Sequence, residues 1–161
     1  MALMGYDVES LMTDIEGIMT AYLNDKIDAI NTEKNDSIVL KNIDADAYIF
    51  QSLDERCMNY DPFVFYGLAG SVEANGIGPA ISKKLLIDVS VITFDVDKAN
   101  IGKRYLRYNR ALEELFIEKW HGYCRAGVKL KVKAPIFVDF TLLNSSEPFR
   151  VVAVELEANL G

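Results

Sequence analysis

Few residues in this chain are of a type and spacing that could carry chemistry. Asp95 and Asp97 stand two positions apart at the end of an apolar run, so an extended backbone sets both carboxylates on one side. Such a pair can hold a divalent cation together with a nucleotide phosphate. Nothing glycine-rich or basic lies immediately beside it to hold that phosphate, and acids at strand ends are also ordinary solubilising surface. Asp44 and Asp46 form a similar pair with still less around them. His121 is the sole histidine, followed by Cys124, and Cys57 is the one other thiol. A structural zinc needs four such ligands, so a metal site is not expected. An imidazole near the end of a helix is favoured there by the helix dipole, and His121 reads that way.

The glycine run is no better placed for cofactor chemistry. Gly76-Ile77-Gly78-Pro79 resembles a dinucleotide-binding turn, yet the third glycine is missing and Pro79 intrudes. A strand is expected to follow, where the mechanism needs a helix N-terminus beneath the pyrophosphate. No phosphate-binding Gly-Lys-Ser/Thr run and no Gly-x-Ser-x-Gly elbow occur. No catalytic residue and no cofactor are therefore assigned. More specific is the recurrence of Arg104, Arg107 and Arg110 at every third position, with Lys103 before them. One reading is an exposed helix face braced by Arg110 with Glu114. The other is an oligomer interface of Arg104, Arg107, Arg110 and Glu114, in which the arginines meet a partner's carboxylates.

The elements that must position these residues follow from periodicity. Leu11, Ile15, Met19, Tyr22, Leu23, Ile27 and Ile30 recur at three-and-four spacing, which predicts a helix over about 10–30 with Ser10 as its N-cap. Short apolar runs at Ile38-Val39-Leu40 and Tyr48-Ile49-Phe50 predict strands, separated by a turn at Asp44–Ala47. Residues 63–95 predict a protruding hairpin arm whose tip holds Gly70, Gly76, Gly78 and Pro79. A second helix is expected over 103–121, stopped by Gly122. From Val128 to Leu142 every even position is apolar, which marks a half-exposed strand or a strand pair bent around Pro135. A closing strand ends the pattern near residue 157. The chain should thus be one α+β domain spanning 1–161, with a mainly antiparallel or mixed sheet and two helices packed on one face.

Composition sets the outer bounds. Of 161 residues, half are hydrophobic and a quarter charged, the balance of a folded domain with one real core. A net charge of −7 argues against wrapping nucleic acid tightly, because phosphate neutralisation by Lys and Arg supplies most of that affinity. It suits a surface that nucleic acid slides past. The start of the chain lacks a basic, then apolar, leader, and no run suffices to span a membrane, so a soluble protein made in a cytoplasm is expected. Two sparse cysteines in such a chain are expected to be reduced thiols.

The layout also resembles a known family. The strand Leu85-Leu86-Ile87-Asp88-Val89-Ser90-Val91 leads through an Asp-bearing loop to Gly102-Lys103-Arg104-Tyr105-Leu106-Arg107-Tyr108-Asn109-Arg110-Ala111-Leu112. Val128-Lys129-Leu130-Lys131-Val132 follows, and Pro148-Phe149-Arg150-Val151-Val152 opens the close. This order resembles the neck and tail-terminator proteins of tailed bacteriophages. The resemblance implies a structural, non-enzymatic virion protein made in the host bacterial cytoplasm. It would form a homo-hexameric ring at the head–tail neck, meeting connector and tail-tube proteins, with DNA passing through the lumen. Asp95 and Asp97 would then be candidate lumen acids, and the glycine-rich hairpin a candidate arm onto a neighbouring subunit or ring. Three alternatives stay open: another connector or tail-tube subunit, a metal-dependent enzyme using Asp95 and Asp97, and a monomeric module closing a glycine-rich loop over a small ligand.

Overall fold

The computed structural model describes residues 7–51, 59–75, 82–93, 100–123, 129–132, 136–141 and 148–160. Helix α1 spans Val8–Lys34, three or four residues beyond the periodic stretch at each end. Its cap is Asp7 rather than Ser10: the Asp7 carboxylate accepts from the Ser10 backbone N–H and hydroxyl, both at 2.9 Å. An aspartate at this position also meets the positive end of the helix dipole, and Ser10 is drawn into the first turn. At the other end Asn35 takes the left-handed conformation and returns its N–H to the Asn31 carbonyl. Leu11, Ile15, Ile18, Met19, Leu23, Ile27 and Ile30 form the buried stripe.

Six strands make one mixed sheet: β1 (Tyr48–Phe50), β2 (Phe63–Asn75), β3 (Ser82–Thr93), β4 (Lys129–Val132), β5 (Ile136–Thr141) and β6 (Pro148–Leu160). The order is β1-β2-β3-β6-β4, with β5 also on β6. β1 runs parallel to β2, and every other pairing is antiparallel. Helix α2 (Ile101–Tyr123) crosses back between β3 and β4. It continues through Gly122, which does not stop it. The chain is a single α+β domain.

Burial shows which sheet face the helices cover. Along β3, Leu85, Ile87, Val89 and Val91 are buried while Lys84, Leu86 and Asp88 are partly open. On the covered face Tyr48 donates its hydroxyl to the Met19 carbonyl of α1, and α2 packs on β6 and β4. Between the helices, Lys119 stands 4.6 Å from the centre of the Tyr22 ring, and Lys26 pairs with Glu118. On the opposite face Lys84 bonds Glu157 at 3.2 Å, while Asp88 lies in register with Glu155.

Two expectations are corrected here. Among the described residues the hairpin of β2 and β3 is no free arm, because β6 pairs with β3 as far as Lys83 opposite Leu160. Two β-bulges in β2, at 68–70 and 71–73, adjust its register against β3 near Gly70. Ile38-Val39-Leu40 is extended but belongs to no strand. The alternating stretch 128–142 takes the second of its two expected forms, a pair of strands, with register sums that differ by one: Leu130 faces Ala158, whereas Ile136 faces Ala153. β4 and β5 are thus offset by one residue relative to each other along β6. Leu130 and Val132 therefore align with the helix-covered positions Ala158 and Leu156, whereas Ile136, Val138 and Phe140 align with positions on the other face. Among the described residues no helix is long and apolar enough to cross a membrane.

Candidate functional site

The arginine stripe is built by α2 and turned onto the segment that leaves α1. After a bend at 36–37, residues 38–43 cross the two helices outside any strand, with Ile38, Leu40 and Ile43 buried and Val39 exposed. An extended segment without a strand partner must satisfy its peptide groups elsewhere. Here helix side chains do it. Asn31 of α1 accepts from the Leu40 N–H at 2.8 Å and donates to the Leu40 carbonyl at 2.9 Å. Asn24, one heptad earlier, treats Ile43 in the same two-bond manner, at 2.7 and 2.9 Å. From α2, Arg104 donates to the Val39 carbonyl, Arg107 to the Ile38 carbonyl, and the Tyr108 hydroxyl to the Lys41 carbonyl.

The three arginines differ in what they hold. Arg107 is only 7% exposed and grips both carboxylate oxygens of Asp36, at 2.9 and 2.5 Å. Its hydrogen bonds hold the Asp36 carboxyl down at about 2, against partial desolvation, with help from the Ile38 N–H. The same pairing raises the Arg107 guanidinium further above its usual value. Arg110 spans Glu33 at 3.0 and 2.7 Å and Glu114 at 2.7 Å, on more open ground. Those bonds raise Arg110 and lower Glu33. The Arg110–Glu114 brace expected from spacing is present. Within the chain Arg104 and Arg107 hold residues 36–39, while Arg110 braces Glu33 and Glu114.

Sequence reasoning missed Asn24, Asn31, Asp36 and Tyr108. The available signal was two asparagines seven positions apart on the apolar side of a helix, among Leu23, Ile27 and Ile30. The proposed lumen acids Asp95 and Asp97 lie outside the described residues, as do Gly76, Gly78, Pro79, Cys57 and Cys124. Gly70 sits in β2 opposite Leu86, beside the first bulge. Asp44 and Asp46 form the expected turn: the Asp44 carboxylate accepts from the Asp46 N–H at 2.9 Å, and its carbonyl accepts from the Ala47 N–H at 3.0 Å. Among the described residues no group of three or more His, Cys, Asp or Glu side chains could hold a metal ion.

A second concave region lies at the β1 end of the sheet. One cavity of about 450 Å³ lies between the start of α1 and the strands, lined by Val8, Glu9, Met12, Phe50 and Leu68 among others. Another of about 550 Å³ adjoins Asp46, Tyr48, Ile49, Asn59 and Tyr60. The two share Glu16, Phe50 and Tyr66. The buried Tyr66 hydroxyl is pushed well above its usual range by desolvation, by its hydrogen bond to Glu16 and by the Glu16 charge. No family model matches the chain, and no curated protein matches its sequence.

Proposed function

We propose that this chain is a structural, non-enzymatic subunit of a tailed-phage head–tail neck. In this reading it forms a ring that ends the tail tube, joins it to the head connector and lets DNA pass through its lumen. Its place would be the virion, after synthesis in the host cytoplasm. The observation that carries the reading is the order of parts around the central strand. A long hairpin leads into β3, α2 carries the Arg-Tyr-Asn-Arg-Ala-Leu run, and β6 opens with Pro-Phe-Arg-Val and pairs along β3. Within that order the α2 run holds the chain together: Arg107, Tyr108 and Arg110 all bind residues 33–41. An architectural use of these residues agrees with a protein whose task is assembly. The net charge of −7 is suited to a lumen that repels the DNA backbone and so lowers sliding friction.

Light scattering after size exclusion, over a wide concentration range, tests the reading. A discrete species of about six subunits is expected, as closed symmetric assemblies favour. If the protein stays monomeric both alone and when mixed with tail tubes, the ring reading is wrong.

A further inference from the structure

Among the described residues, one row of peptide groups in the sheet has no strand partner. β1 is an edge strand, bonded among the described strands to β2 alone. The Ala47 carbonyl accepts from Val64 at 2.9 Å, and the Gln51 N–H donates to Tyr66 at 2.8 Å. Alternate residues of a parallel ladder face the same neighbour, so Ile49 shares that side. Tyr48 and Phe50 consequently turn their N–H and C=O groups to the open side. Gln51, at φ 62°, bends the chain away and ends the row.

The surroundings of this row have a definite chemistry. Phe50 is 50% exposed and Leu68 37%, an apolar floor beside Val8 and Met12. The Phe50 ring packs on that of Tyr66, with centroids 5.2 Å apart. Around it stand Glu9, Glu16 and Asp46, and neither cavity has a described lysine or arginine in its lining. An acidic, aromatic groove beside free backbone donors and acceptors is complementary to a cationic chain in strand conformation.

We propose that the β1 edge takes up an extended, lysine- or arginine-bearing segment of a partner protein by strand addition. The segment's backbone pairs with Tyr48 and Phe50. Side chains on its helix-facing side enter the two cavities, apolar ones against Val8, Met12 and Leu68, cationic ones toward Glu9, Glu16 and Asp46. A small amine would use the acids but leave the row of peptide groups open, so a chain is the better fit. This surface is remote from the arginines of α2, and the inference stands whether or not the protein forms a ring.

The test uses the full, isotope-labelled chain and an acetylated, amidated peptide of alternating lysine and valine, followed by NMR. Saturable shifts at the Tyr48, Phe50 and Leu68 amides are expected. Combining Glu9→Gln with Glu16→Gln should weaken binding about tenfold, and Phe50→Ser should abolish it. Leu106→Ser, at an exposed position on α2, should leave binding unchanged, and thermal melts check that each variant is folded. Equal binding of an alternating glutamate–valine peptide, indifference to the acid variants, or shifts elsewhere would overturn the proposal. So would binding that requires removal of residues 1–6, since the groove's occupant would then be the chain's own segment. Movement of the same amides with protein concentration alone would assign the groove to a second copy and equally reject the proposal.

Discussion

Arg107 and Asp36 lie 71 positions apart in sequence and meet fork to fork, two guanidinium nitrogens on two carboxylate oxygens. This pair ties α2 to the segment leaving α1 at the point where that segment has no strand to lean on. It also makes the stretch 36–43 part of the helical layer, not of the sheet.

Removing the guanidinium takes the arginine donors from the Ile38 carbonyl and from Asp36, which keeps only the Ile38 N–H. Arg107→Ala should cost about 2 kcal/mol, as for hydrogen bonds to charged groups. Arg110→Ala, whose partners are more exposed, should cost about 0.5 kcal/mol. Urea unfolding of the two variants checks the ranking, and equal losses would refute it.

Asp36 should also shape the acid limb of stability. Its carboxyl titrates at about 2 in the fold against 3.8 for the free group, so the native state binds its proton less readily. The stabilisation is complete above about 3.8 and is lost as pH falls toward about 2. Asp36→Asn should flatten that decline. Urea midpoints measured across this window, for wild type and variant, decide the point.

Asp88 should behave in the opposite sense. Burial and the charge of Glu155 across the strand pair raise its carboxyl above 3.8, so the native state binds its proton more readily. Stability from this group is therefore full below 3.8 and lost as pH rises through the raised value. Asp88→Asn should raise stability at neutral pH by less than about 1 kcal/mol, the scale of a cross-strand pair. That gain should vanish in acid, and thermal melts at both ends of the range measure it.

Two glycines should respond to alanine with opposite signs. A Cβ on Gly67 would stand 3.1 Å from Gln51 Oε1 and 3.2 Å from its Cα, close to backbone that cannot swing aside. Gly67→Ala should cost about 1 kcal/mol or more. At Gly102, early in α2, nothing lies within 4 Å of the added atom. Gly102→Ala should gain about 0.5 kcal/mol through helix propensity. Denaturant titration of both variants reads the two signs directly.

The helices and the long β2–β3 hairpin were legible because their apolar spacing is local and strong. The N-cap was displaced because a carboxylate just upstream outcompeted the serine. Ile38-Val39-Leu40 read as the short apolar run of a strand, and its backbone partners are side chains of Asn31, Arg104 and Arg107, which no local pattern announces. The arginine stripe was readable as a stripe, but its target lies far away in sequence, so spacing alone offered a braced exposed face or an interface and did not reveal the hold on residues 36–39. The groove at β1 gave no signal because Glu9, Glu16, Phe50 and Leu68 come from three separate elements.

The register offset between β4 and β5 restricts how the chain can vary in length. Adding or deleting one residue in 133–135 would exchange the inward and outward sets for all of β5. Changing the same stretch by two residues would keep that assignment. Tolerance to insertion there should thus follow parity, not size.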